Sequence, residues 1–577
     1  MSYSKYRFAI LLLIILVEIQ GFFNIQLLNN YNSLQSDEYT SMNQVNGLQT
    51  QLNQMNKSYI DLKQKYEDLH FRYNLVRYNL TLKEIIEPSL ISWGNWSCYP
   101  YGQTPTYDEY RGKFSQYSYP DGLGGVYVYL LTGQTTYLDR AVSTLKFTAQ
   151  NLINQNGVLM LYDQNKSSAS STPMPPGELY ACLIAITYIQ QLEPVDAYAK
   201  KIGDAALKFQ APTGLFAGRI YANGSIMDSL DDFSTRSLAS SLFRFYEVTG
   251  DSRYLSSGLK LVDGLWGLRT SENLIREWYN VKTGSVSETT TRCHTHWQFC
   301  GLAKYAYLLT GDKKYDDIYQ AALQAMYKKF WFNDHWSYRT GYDDLWEYYQ
   351  SMVAPDMLGM REFTNENLID IGKRVIQKKE ISSIGLIMHA VDNSGKPKFN
   401  WDNCISNQMA SVLGAWAYGY LGNGTNGYET ALELYRALIK YHKKSHGFVG
   451  GIDALTGDFY HKWGEDSSSF GNGIMMSWCA APLVLNIKGD IKLDFGHGFN
   501  TPYSLGGSYD RPLMDINKFR INIRERYVKV TVQSGSGYIA LQMSESIHNA
   551  TKDGMHYNNF GGNILTIDGS GIYLIYF

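Results

Sequence analysis

Asp231 and Asp232 stand side by side in SLDDFSTRSLASSLFRFYEVTGDSRYL, residues 229 to 255, at the start of a long apolar-striped segment. Two such carboxyls can share a glycoside cleavage, one protonated at the leaving oxygen and one ionised at the anomeric carbon or its attacking water. A helix N-terminus favours the ionised form, and adjacent carboxyls push their pKa values apart. Asp is also a preferred helix cap, so capping alone accounts for one of the two. Other acids precede further helical patterns: Glu465 and Asp466 in WGEDSSSF, Asp402 in NWDNC, Asp343 and Asp344 in GYDDLWEYY, and Glu178 in PPGELY. Glu465 acting with Asp232 is the alternative catalytic pair.

In TRCHTHWQFCG, His294 and His296 enter another helix beside Trp297. Positions i and i+2 leave opposite sides of a helix, and no HxxxH or CxxC completes a zinc set, so no metal site is expected. The imidazoles are then substrate contacts, proton carriers or structural groups. Aromatic residues make up 14% of the chain, with 47 Tyr and 12 Trp, a composition that suits the apolar faces of sugar rings. Trp278, Tyr279, Trp297 and Trp463, with Asp402, are candidate sugar contacts in or near loops. No phosphate-loop or dinucleotide fingerprint is present, which leaves no cofactor to expect. A formal net charge of −2 provides no basic field for nucleic acid.

The elements that position these groups repeat. YLLTGQTTYL (129 to 138), YEVTGDSRYL (246 to 255) and YLLTGDKKYD (307 to 316) share Y-x-x-T-G-x-x-x-Y. Each predicts one helix closed by a left-handed Gly and a second helix starting almost at once. The first helix of each pair is apolar nearly all round, and the second is striped, so the first lies inside and the second outside. Six pairs between about 116 and 445 predict a mainly α fold, an (α/α)6 toroid with long outer-to-inner loops gathered on one rim.

An apolar inner helix, a Y-x-x-T-G-D turn and a Y-L start of the outer helix resemble the six-hairpin glycosidase superfamily. The stretch from Asp231 and Asp232 to YEVTGDSRYL locally resembles family 76 glycoside hydrolases, the endo-α-1,6-mannanases. That resemblance implies Asp231 as nucleophile and Asp232 as acid/base. The sequence departs from the family pattern after the pair, reading FSTRS where an aromatic-rich DD-x-A-W-type continuation is usual.

Lys5 and Arg7 precede the apolar run Phe8 to Val17, which predicts an uncleaved membrane anchor or signal over 1–28, with the rest of the chain outside. Seven N-x-S/T sequons accord with export. From Leu48 to Leu80 apolar or aromatic residues alternate every four and three, the seam of a coiled-coil stalk (29–92) and of a homo-oligomer. The toroid then spans 93–489, and short alternating runs predict a small β domain over 490–577. The chain is thus expected to be an extracellular, membrane-tethered glycoside hydrolase with a carbohydrate substrate. A uronate lyase or epimerase on the same scaffold and a non-catalytic stalked glycan-binding protein are the alternatives.

Overall fold

The computed structural model describes residues 18–31, 33, 42–96, 104–108, 113–119, 128–129, 131–163, 168–174, 179, 183, 196–227, 230–232, 237–286, 291–332, 335–341, 381–388, 391–396, 415, 426–441, 453, 455–458, 466–467, 485–489, 492–493, 521–522, 527–541 and 545–577. The fold is mainly helical with small antiparallel sheets. Contacts divide it into two units, Met1–Thr81 with Asn423–Tyr428, and Leu82–Gly422 with Glu429–Phe577.

In the first unit a helical run over 18–31, α1, meets the long helix α2, Met42–Trp96, where the Gln20 amide donates to the Met55 carbonyl at 3.3 Å. The residues of α1 turned inward are Gln20, Gly21, Asn24, Leu27 and Tyr31, while Ile19, Phe22, Phe23, Ile25 and Leu28 stand exposed. Along α2 the heptad positions from Leu48 to Tyr73 are half-buried. Near residue 80 the stripe slips: Leu75, Tyr78 and Asn79 are buried, Tyr78 stacks on Tyr428 at 4.5 Å, and Leu80 is 49% exposed. A straight helix turns about 20° per heptad away from a strict seven-residue repeat, so four heptads rotate the seam by nearly one residue. No described helix is long and apolar enough to cross a membrane.

The second unit is built from helical hairpins. Helices α3 (Thr135–Phe147), α4 (Asp196–Leu207), α6 (Ser252–Gly267), α8 (Lys313–Phe330) and α9 (Asn426–Tyr441) are the striped type, and α5 (Ser237–Thr249) and α7 (Cys293–Thr310) the apolar type. The T-G junctions behave alike. Gly133, Gly250 and Gly311 have φ of 71°, 70° and 67°, and their N–H groups donate to Tyr129, Tyr246 and Tyr307 at 2.8, 2.7 and 2.6 Å. The preceding Thr hydroxyls each donate back to the carbonyl four residues earlier, at Val128, Phe245 and Ala306. Asp251 and Asp312 then cap α6 and α8 by accepting the N–H of Arg253 and Lys314.

Neighbouring striped helices use one contact twice. Tyr254 of α6 donates to Asp204 of α4 at 3.2 Å, and Tyr315 of α8 donates to Asp263 of α6 at 3.5 Å. Arg253 and Lys314, each preceding its Tyr, pair with the same two aspartates. Apolar α5 and α7 meet through the Phe243 and Tyr305 rings, 5.3 Å apart and edge to face.

A second repeat follows the striped helices. After the π turn that prolongs α3, after α4 and before 387, a tight turn is closed by the bridges Ile153–Leu159, Gln210–Phe216 and Ile381–Ile387. A side-chain oxygen within the turn holds it, Asn154 accepting from Asn156 and Val158, and Thr270 after α6 accepting from Glu272 and Leu274. Strands 104–108, 113–119, 160–163 and 168–173 form one sheet, to which 466–467 adds through Tyr107–Ser467 and Asp108–Asp466 pairing. Toward the C-terminus two antiparallel sheets form, one around 537–541 and one around 527–534, where Val528, Val530 and Val532 are buried in alternation.

Candidate functional site

The site is assembled where the connection after α6 enters α7. Glu277 lies in that connection and is 1% exposed. A carboxylate removed from water requires compensating donors. Its Oε1 accepts from the Arg292 backbone N–H at 3.1 Å, Arg292 Nε at 2.7 Å and the Thr295 hydroxyl at 3.0 Å. Arg339 approaches Oε2 at 3.5 Å. The two arginines face each other across an antiparallel bridge, flanked by Cys293 N–H donating to Tyr338 and Thr340 N–H to Thr291. The Thr291 hydroxyl donates to the Ile275 carbonyl at 2.8 Å. One carboxylate therefore ties together the end of a loop, the first turn of α7 and segment 337–340.

Glu277 leads directly into the strand Trp278–Asn280, which pairs antiparallel with Leu230–Asp232. Asp231 is opposite Tyr279, and Asp232 is opposite Trp278. The aspartate pair thus occupies a strand, not a helix start; α5 begins later, at Ser237. Ladder pairing holds the 230–232 backbone extended, so capping of α5 does not explain the pair. Adjacent strand positions belong to opposite faces of the ribbon, unlike neighbours at a helix entrance.

The structure reassigns three of the expected sugar contacts. His296 is fully buried: its Nδ1 accepts the Ile275 N–H at 3.1 Å, and its Nε2 lies 2.7 Å from the Ala322 carbonyl, which makes Nε2 the protonated nitrogen. Burial lowers its pKa from 6.5 to about 4, so the ring is neutral and clamps loop to helix. Trp297 is 1% exposed and Tyr279 0%, so both rings are core, not platforms. The Tyr279 hydroxyl reaches toward the Phe216 carbonyl at 3.5 Å. Trp278 is half-buried on the strand paired with Asp232. His294 occupies the first turn of α7. Glu465, Asp402 and Trp463 lie outside the described residues; Asp466, next to Glu465, pairs with Asp108.

Sequence reasoning missed Glu277, Arg292 and Arg339. Glu277 sits inside NLIREWYNVKTGSVSETTT, where an acid between aromatic and basic residues was the sole signal. It also missed Gln298, one turn into α7, which is 1% exposed with neither amide atom hydrogen-bonded.

No family model matches the sequence, and no curated protein does. Solved structures with partial likeness include a cellobiose 2-epimerase from Bacillus thermoamylovorans, 14% identical, TM-score 0.44, covering 63% of this chain and 98% of that one. An α-1,2-mannosidase from Trichoderma reesei is 11% identical with TM-score 0.48, covering 71% of this chain and 93% of its own. An unsaturated glucuronyl hydrolase specific for heparin is 11% identical with TM-score 0.41, covering 70% and 96%. All three likenesses are distant in sequence and in chain trace.

Proposed function

We propose that this chain is a carbohydrate-active enzyme of the (α/α)6 type that cleaves a glycan with carboxyl groups at the rim of its helical ring, Asp231 and Asp232 foremost. The observation that carries this reading is the pairing of Leu230–Asp232 with Trp278–Asn280. It sets Asp232 opposite the half-buried Trp278, with Asp231 at the next position of a ribbon anchored by the buried Glu277 cluster at the entrance of an apolar helix. An acid beside an aromatic surface is what glycoside cleavage requires: a proton donor or nucleophile, and an apolar plane for the sugar. The repeated Tyr–Asp contacts from α4 to α6 to α8 support a regular succession of hairpins, the unit from which such a ring is built. Pairing of 104–108 with 466–467 joins the early and late ends of the helical region, as closure demands.

Tethering at a membrane belongs to the same reading. The outward face of α1 carries Phe22 and Phe23, 63% and 52% exposed, in continuity with the apolar run Phe8 to Val17 behind Lys5 and Arg7. Lipid is the natural cover for such a face. The half-buried seam of α2 supports association between copies of the chain.

The test uses the full chain with α-mannan, β-glucan and polyuronate, following reducing ends and the absorbance of unsaturated products. Hydrolysis predicts new reducing ends that fall at least about a hundredfold in Asp231→Asn or Asp232→Asn with unfolding temperature retained. Unsaturated products would instead identify a lyase, and binding without turnover a non-catalytic receptor. Turnover unaffected by either substitution would remove the aspartates from the mechanism.

A further inference from the structure

Seven asparagines carry the N-x-S/T pattern, and the fold treats them differently. Asn56, Asn79 and Asn95 lie in α2. Along a helix, positions i and i+2 are about 200° apart, so Ser58 and Thr81 leave the side opposite to Asn56 and Asn79. Asn79 is also 2% exposed, next to the Tyr78–Tyr428 stack. Asn549 is half-buried in the strand Asn549–Lys552, opposite Tyr576, and Thr551 Oγ1 is buried. Asn165 and Asn423 lie outside the described residues.

Asn223 stands apart from these, at the tip of an exposed tight turn in the connection after α4. The Ile220–Ile226 bridge closes the turn, the Tyr221 N–H donates to the Ser225 carbonyl at 2.8 Å, and the Gly224 N–H donates to the Tyr221 carbonyl at 2.8 Å. Asn223 Oδ1 accepts both the Ser225 N–H at 2.9 Å and the Ser225 hydroxyl at 2.7 Å. Both residues are exposed, so the carboxamide and the hydroxyl emerge side by side. The neighbouring turn anchors the backbone between them: the Ala222 carbonyl accepts from the side-chain amides of Asn154 at 2.7 Å and Asn156 at 3.4 Å. Among the described residues nothing bonds Asn223 Nδ2, which faces solvent.

We propose that Asn223 is an N-glycosylation site, its carboxamide nitrogen accepting a glycan from a lipid-diphosphate donor on the outer side of the membrane. The assignment rests on the membrane-tethered, outward-facing reading above and, of the described sequons, selects this one. In the transfer a bond forms between Nδ2 and the anomeric carbon of the glycan, the bond from that carbon to the diphosphate oxygen breaks, and one amide proton passes to a base of the transferase. Nothing is oxidised or reduced. A transferase has to engage the Asn and the hydroxyl two residues on together, and the Ser225-to-Asn223 hydrogen bond presents the two as one unit on a surface turn. A glycan is bulky and has to lie in solvent. At Asn79 it would have to leave a packed helix face, so the folded chain carries none there.

The test is peptide mass spectrometry of the full chain, made with its N-terminal segment in a host that N-glycosylates exported proteins. Protease added to intact cells reports the side of the membrane on which the body lies. Cleavage after Arg219 and Arg236 isolates residues 220–236 with Asn223, and cleavage after Arg77 and Lys83 isolates residues 78–83 with Asn79. Peptide 220–236 is expected to carry a glycan in most copies, and peptide 78–83 of the folded chain none. The glycan should be lost in Asn223→Gln and in Ser225→Ala and retained in Ser225→Thr, which keeps the hydroxyl. A bare 220–236 peptide on a body that external protease digests overturns the assignment and leaves the outward-facing reading standing. Modification that persists in Ser225→Ala, or a glycan on Asn79 of the folded chain, also overturns it. A bare peptide on a body that protease reaches only after lysis overturns both.

Discussion

Burial sets the charge of His296. The folded ring titrates near 4 instead of 6.5, because the charged form has no solvent to meet it. Between those values the unfolded chain binds a proton that the folded chain refuses. Stability from this group is therefore complete above about pH 6.5, falls as the pH drops, and is fully lost below about 4, a change of about 3 kcal/mol. Unfolding temperature measured from pH 7 to 4 should decline accordingly, and His296→Gln should flatten that decline. Glu277 behaves oppositely to a surface acid. Its removal leaves the Arg292 and Arg339 guanidiniums, 29% and 27% exposed, without their shared counter-charge. Glu277→Ala should cost about 3 kcal/mol or more in denaturant unfolding. None of this was readable from residue types. Glu277 acquires its role from Arg339, which reaches it only after segment 337–340 lies beside 291–293.

Hairpins are the unit that the sequence displays most openly. The T-G pair specifies its own geometry, since a left-handed residue and a Thr hydroxyl that bonds four residues back are local events. The tight turns after the striped helices were equally local but harder to see, because Asn154, Thr270 and Ser382 fill one role with different side chains. Close packing within hairpins is a property of pairs. A Cβ placed on Gly258 of α6 would lie 2.3 Å from the Phe243 ring of α5, whereas one on Gly267 would meet nothing within 4 Å. Gly258→Ala should therefore destabilise by about 1–3 kcal/mol. Gly267→Ala should be neutral or stabilise by up to about 1 kcal/mol, through the unfolded chain. Chemical denaturation of the two variants separates the cases. The coiled-coil seam shows where periodicity stops informing: its spacing is regular to Leu80, yet the buried face has already turned to Tyr78 and Asn79.

At the scale of the molecule, α1 leaves Ile19, Phe22, Phe23, Ile25 and Leu28 exposed while Gln20 and Asn24 are half-buried. If lipid covers that face, Phe22→Asp combined with Ile25→Asp should weaken association of the full chain with liposomes at least tenfold while far-ultraviolet circular dichroism is unchanged; undiminished association would assign the face to another partner. Polypeptide pattern alone determined the hairpins, the long amphipathic helix near the N-terminus, the alternating strands near the C-terminus and the absence of a basic field. These follow from propensity, periodicity and charge, which act between near neighbours. Only tertiary structure decided that Asp231 and Asp232 lie in a strand against Trp278 and Tyr279, that His296 and Trp297 are enclosed, and that Gln298 is buried without a partner. Burial and cross-strand pairing depend on residues distant in sequence, and no local pattern encodes which distant residue arrives.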